Sequence, residues 1–229
     1  MPARARDLPE TLALPLRSGE EWWYWLGGRP ALDLVNTLRE RWRRRVETLV
    51  SPADLGLWLA RAGLVTERPR VTRALLDDTR ALREAIDLCV EALVAREPAP
   101  RAAVAHIDGW LADACVRPSL TIAGGAPVLG EREPRDAARA AVAAVALDAA
   151  RMLGTADEAR RVRVCASETC SARFYDRSPA ACRRWCSMAL CGNEAKARRH
   201  RERAKETPAA TAAGDREAGG ERAMRRAAA

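Results

Sequence analysis

The chain has 229 residues and a mass of 25.0 kDa, enough for one well-buried core and a small satellite domain. Its 48% hydrophobic content excludes a chain that is disordered throughout. Aromatics are only 4%, so the core must rest on Leu, Val and Ala, a composition that favours helix over sheet. No run approaches the roughly 18 apolar residues of a membrane span, and the acids and prolines near the start do not read as a signal peptide. A cytoplasmic protein without a membrane partner is expected, and in that reducing compartment clustered cysteines point to metal rather than disulfides. The net charge of +8 is uneven: between Arg160 and Lys205, thirteen Lys/Arg face four acids, so one segment holds essentially all of the basic excess. All but two of the 39 basic residues are Arg, the exceptions being Lys196 and Lys205.

In chain order, an Arg/Pro-rich start to about Ser18 leads to Trp22, Trp23, Tyr24 and Trp25 and a Gly27-Gly28 turn signal. From Pro30, the pattern Leu34, Val35, Leu38 predicts an amphipathic helix that becomes basic at Arg39–Arg45. Ser51-Pro52-Ala53-Asp54 is a helix start with Ser as N-cap, Pro at the first helical position and Asp reaching back at the third. That helix buries Leu55, Trp58 and Leu59 and ends near Gly63. After Pro69, Leu75, Thr79, Leu82, Ile86, Cys89, Val90 and Leu93 recur at helical spacing. Val104, Ile107, Leu111 and Cys115 mark the next helix, and Leu120, Ile122 and Val128 around Gly124-Gly125 predict one short β-hairpin. Ala138 to Leu153 reads as helix with Val142, Val145, Ala149 and Met152 on one face. Cys89 and Cys115 fall on apolar helix faces and read as core. From Glu206 onward no core pattern remains, and a disordered tail is expected.

The cysteines change the argument at Val162-Arg163-Val164, a short strand that enters two C-x4-C pairs: Cys165 with Cys170, and Cys186 with Cys191. This spacing lets two tight turns deliver four thiolates to one ion, the donor set of a closed structural zinc site without an open catalytic position. Four thiolates on one zinc leave a formal charge of −2, which Arg163, Arg173, Arg183 and Arg184 are placed to offset. Phe174 and Tyr175 supply a miniature core for the intervening loop. Cys182, close to Cys186, is either a competing ligand or a free thiol. Straight after Cys191, the stretch Glu194 to Lys205 reads as a basic helix carrying Lys196, Arg198, Arg199, His200, Arg201 and Arg203. A metal-anchored basic helix suits the DNA major groove and its phosphates; the bland alternative is a solvated charged face.

Phe174-Tyr175-Asp176-Arg177-Ser178, Arg183-Arg184-Trp185-Cys186-Ser187-Met188, Cys191-Gly192-Asn193 and Ala195-Lys196-Ala197-Arg198-Arg199-His200-Arg201 resemble the CGNR zinc finger. In that family the finger ends a longer protein with an N-terminal ABATE domain. Leu32-Asp33-Leu34-Val35-Asn36-Thr37 after Gly27-Gly28, and Asp54-Leu55-Gly56-Leu57-Trp58-Leu59, resemble ABATE sequence, so the likeness spans roughly residues 25–205. One position departs: the motif's final Arg is Glu194 here, which implies the loss of one cationic contact while suiting the helix dipole. The resemblance implies a bacterial-type, stress-responsive transcription regulator whose helical domain senses a small ligand.

The expected architecture is mainly α: a flexible segment 1–20, a helical ABATE-like domain 21–156 with one short hairpin, a treble-clef-like CGNR finger 157–205 ending in its basic helix, and a tail 206–229. One structural Zn2+ is expected on Cys165, Cys170, Cys186 and Cys191, and DNA contacts from Arg183, Arg184, Lys196, Arg198, Arg199 and Arg201. Asp33 and Asn36, polar on one face of an otherwise apolar helix, are the candidate contacts of a small-molecule ligand; the alternative is that they cap or cross-brace helices. Trp22, Trp23 and Trp25 either line such a pocket, bind a partner or belong to the core. With no nucleophile elbow, phosphate loop or H-E-x-x-H helix, no enzyme is expected. The competing function is a zinc-stabilised adaptor for protein or RNA. A homo-oligomer is compatible with a single short finger, which contacts few bases.

Overall fold

The computed structural model describes residues 8–114, 117–132 and 134–206. The expected core residue Cys115, the first seven residues of the N-terminal segment and the tail from residue 207 lie outside them. The chain divides into two compact units, Met1–Cys186 and Ser187–Ala229.

The first unit is mainly α with three small antiparallel hairpins. Helix α1 (Pro30–Val35) is short because side chains intercept its last carbonyls. Thr37 Oγ1 donates to Leu34 O at 2.7 Å, and Arg41 Nη2 donates to Val35 O at 3.1 Å. Such local bonds compete with further helix. The basic helical extension expected at Arg39–Arg45 is therefore absent; strands β1 (Leu38–Arg39) and β2 (Val46–Glu47) pair across a loop instead. Two-residue strands are too short for alternation to reveal them.

Helix α2 (Pro52–Arg61) starts as expected: Ser51 accepts from the Asp54 N–H, Asp54 Oδ2 accepts from the Ser51 N–H, and Pro52 opens the first turn. Helix α3 (Arg73–Ala95) buries Leu75, Thr79, Leu82, Ile86, Cys89 and Val90. Helix α4 (Arg101–Leu111) turns Ala103, Ile107 and Trp110 inward, so Val104, expected on the apolar face, is exposed. Strands β3 (Arg117–Ala123) and β4 (Ala126–Arg132) form the expected hairpin around Gly124-Gly125, both with positive φ as a tight two-residue turn requires. Helix α5 (Ala137–Gly154) buries Val142, Val145, Ala149 and Met152, and α6 (Ala156–Ala159) follows it.

Helix α1 packs on α3 and α5, and α4 closes over both. Asp148 on α5 organises the start of α1, accepting from the Ala31 N–H at 3.1 Å while pairing with Arg29 at 2.8 Å. The Trp cluster is core: Trp23 is buried and Trp25 stacks on the buried Trp58 with ring centroids 5.8 Å apart.

Strands β5 (Val162–Val164) and β6 (Arg173–Tyr175) form the third hairpin and dock on this body, β6 against α1 and β5 against α3. In the second unit a π-helical turn, Met188–Gly192, runs into α7 (Asn193–Glu206).

Gly27 links β6 to α1 directly. Its carbonyl accepts from the Tyr175 N–H at 2.7 Å and its N–H donates to Asp33 Oδ1 at 2.8 Å. A Cβ there would stand 2.7 Å from the Asp33 backbone nitrogen. Gly27→Ala is therefore expected to cost about 1–3 kcal/mol through overpacking, measured by urea unfolding; a variant as stable as the parent would disprove the tight approach.

Candidate metal centre and nucleic-acid interface

The turn Ser167–Cys170, closed by the Cys170 N–H on Ser167 O at 3.1 Å, presents the first thiolate pair. The Cys165 N–H donates to Ala172 O at 2.9 Å, and the Ala166 N–H reaches Arg184 O at 2.8 Å, tying the first turn to the segment that brings Cys186. The Sγ atoms of Cys165, Cys170, Cys186 and Cys191 all lie within 4.8 Å of one another, and all four residues are buried. An ion with Zn–S bonds of about 2.3 Å spaces its tetrahedral thiolates about 3.8 Å apart, and Cys170 Sγ and Cys186 Sγ are 3.8 Å apart. All four are unbridged. The donor set fits one structural zinc: four thiolates, closed, with no position for a reacting water. Cys182 is exposed and outside the cluster.

Of the four arginines expected to offset the thiolates, Arg183 meets a ligand's backbone. Its guanidinium donates to Cys186 O at 2.6 Å and lies over the Phe174 ring at 5.0 Å. Arg163 donates to Ala181 O at 2.7 Å, and Arg184 stacks on Trp185. Arg173 turns into the helical body and is fully buried. It ion-pairs with Asp87 at 2.7 Å and with Glu91 at 2.7 Å, and donates to Ser171 O at 2.7 Å. Phe174 is fully buried, as the loop core requires.

Asp176 holds the loop between the cysteine pairs. It accepts from the Arg183 N–H at 2.7 Å and the Ser178 N–H at 2.9 Å. Burial opposes its ionisation, but these N–H groups outweigh it and keep the carboxyl below its usual range.

On α7, Lys196, Arg199, His200 and Arg201 are exposed, while Arg198 is half-buried and lies 3.9 Å from Glu202. Glu194 is exposed in the first turn. The helix thus carries cations around its surface beyond Ala195.

Residues 28–156 match the ABATE family, described as "Putative stress-induced transcription regulator", and residues 161–204 match the CGNR zinc finger. The chain belongs to the ABATE family. No curated protein shows significant similarity to it. Neither a transcription regulator nor a zinc finger is an enzymatic class.

Within the ABATE region, Asp33 lies in α1 and Asn36 caps its C-terminal end. Asn36 is buried and engaged at both ends of its amide: Nδ2 donates to Arg173 O at 2.9 Å and Oδ1 accepts from the Arg173 N–H at 2.8 Å. It pairs with the backbone of β6 as a neighbouring strand would. Asp33 accepts from Gly27 N–H. Burial raises its pKa to about 7; the Gly27 N–H and Arg177 oppose that rise and the nearby Asp148 adds to it. Neither residue lines the ABATE cavity of about 300 Å³ between α3, α4 and α5, which is walled by Leu93, Val104, Ile107 and Leu153, with Glu97 and Asp108 contributing carboxylates.

Asp176 is not singled out by the sequence, and the cross-brace expected of Asn36 runs to a strand rather than to a helix. Their signal was present only as polar residues inside family motifs, because their partners are backbone groups that spacing does not name.

Metal analysis should return about one zinc per chain, and Cys186→Ser should abolish it with unfolding of the finger; a metal-free finger that stays folded would contradict the site. Because Asp33 binds its proton more tightly in the folded state, its contribution to stability falls as pH rises from near 3.8 through about 7. Asp33→Asn should therefore gain stability relative to the parent on going from pH 5 to pH 8, read by thermal unfolding. An unchanged difference would remove the titration from Asp33.

Proposed function

We propose that this chain is a cytoplasmic, DNA-binding transcription regulator whose ABATE region senses a small molecule and whose finger engages duplex DNA. The observation that carries the reading is α7. It follows the last thiolate within two residues and exposes Lys196, Arg199, His200 and Arg201 without an apolar face to bury. Helices of this kind on zinc modules enter the major groove or track phosphates. Arg184, exposed on Trp185, and the half-buried Arg183 and Arg198 are the remaining contacts in this reading.

The sensing half of the proposal rests on the cavity between α3, α4 and α5, of the size and apolar lining that suit a small organic ligand. Asp33 and Asn36 act in this reading by fastening the body to β6 rather than by touching the ligand. A homo-oligomer extends the few bases that one finger reaches. No catalytic step is proposed. Among the described residues no helix is long and apolar enough to cross a membrane.

The second reading, an adaptor for RNA or protein, is favoured by Glu194, which places an anion at the head of the basic helix. Fluorescence anisotropy with labelled duplex DNA separates the two. Binding should weaken with salt, and Arg198→Gln, Arg199→Gln and Arg201→Gln together should lower the slope of log K against log salt by about 2.7. Equal affinity for single-stranded RNA, or a slope that ignores the three substitutions, would favour the adaptor.

A further inference from the structure

The loop between β1 and β2 carries four arginines within five residues, Arg41, Arg43, Arg44 and Arg45. Its backbone is held in a fixed turn: the Arg43 and Arg45 N–H groups both donate to Glu40 O, at 2.8 and 3.0 Å. Glu40 and Arg45 take φ of 49° and 51°, the left-handed region that residues other than glycine rarely adopt.

The four arginines of the loop divide into two kinds. Arg41 is buried and pairs with Glu84 at 2.7 Å and Asp87 at 3.0 Å. Arg44 is clamped on Glu40 at 2.6 Å and donates to Pro9 O at 2.9 Å. Arg43 and Arg45 are exposed. Among the described residues, Arg43 pairs with the highly exposed Glu10 at 3.8 Å, and Arg45 donates to the carbonyl of Arg41 at 3.4 Å. Trp42, next to Arg43 in the chain, is 48% exposed.

The loop is fastened to the segment that delivers Cys170 at three points. The Trp42 indole N–H donates to Glu168 O at 3.3 Å, the Arg41 N–H donates to Ser171 Oγ at 3.1 Å, and the Arg173 guanidinium lies 5.1 Å from the Trp42 ring. A strained, well-braced turn that presents two cations beside a half-exposed indole is poorly explained by folding alone. The same geometry suits a polyanion surface: guanidinium groups fork onto phosphates, and an amphipathic indole tolerates a half-dry contact.

We infer that Arg43 and Arg45, on the β1–β2 loop braced by Trp42 against the first cysteine turn, form a second contact with the phosphate backbone of duplex DNA. The inference rests on the DNA-binding reading above and adds to it a contact supplied by the ABATE region. This contact is sequence-independent: it raises affinity and fixes orientation without reading bases.

The test uses the full zinc-loaded chain and duplex DNA across a salt series. Arg43→Gln/Arg45→Gln should lower the slope of log K against log salt by about 1.8, which corresponds to roughly thirtyfold weaker binding at 0.15 M salt relative to a 1 M reference. Arg101→Gln/Arg151→Gln, which removes two exposed arginines from α4 and α5, should leave the slope unchanged. Zinc content and thermal unfolding of each variant report whether it is folded. If the parent binds DNA and the loop variant keeps the parent's slope, the loop contact is wrong and the finger reading stands. If both double variants lose slope equally, the effect is general charge and the loop contact is again wrong. If the parent shows no salt-dependent DNA binding, both readings fall together.

Discussion

A guanidinium with none of its surface in water must be surrounded by carboxylates and acceptors, and Arg173 meets that demand with Asp87, Glu91 and Ser171 O. Much of the first unit follows from satisfying it. Asp87 also serves Arg41, Arg41 also serves Glu84, and Glu84 also serves Arg83, which reaches Glu47 on β2. One run of alternating charge thus joins α3, the β1–β2 hairpin and β6. Arg173, Asp87 and Arg41 are buried, so removing one of them strands an opposite charge in low dielectric, and the network acts as a register for how β6 seats on the helices.

That seating bears on the metal centre. Asn36 gives the backbone of β6 both a donor and an acceptor, and Gly27 gives its last residue another acceptor. The strand next to the first cysteine turn is therefore held by Asn36 of the ABATE region and by Gly27 just before it. Beside its cysteines the ligand turn is small, and the buried apolar side chains next to it are few, Ala172 and Phe174 among them, so apolar burial alone gives it little with which to order itself. Metal supplies part of that order, and the docked strand supplies part.

An arginine-rich chain needs a means of separating structural from functional cations. Here the division is made by burial. Arg29, Arg41, Arg83 and Arg173 stand against carboxylates within 3 Å, whereas those on α7 and the tip of the β1–β2 loop face solvent. A phosphate approaching the first group would have to displace the carboxylates that already neutralise it.

The amino-acid sequence by itself determined the four thiolates, because ligand spacing is a local property of the chain. It likewise determined the capping box of α2, the long amphipathic face of α3, the glycine turn of the β3–β4 hairpin and the basic helix after Cys191. Each of these is written within one or two turns of backbone. Only the tertiary structure decided where α1 stops, because Arg41 returns from downstream to take the Val35 carbonyl. Only it showed that Arg173 serves Asp87 rather than the thiolates, and that Asn36 holds a strand 137 residues away. Those outcomes depend on which buried polar groups meet across the fold, and a charge or amide in sequence does not carry the address of its partner.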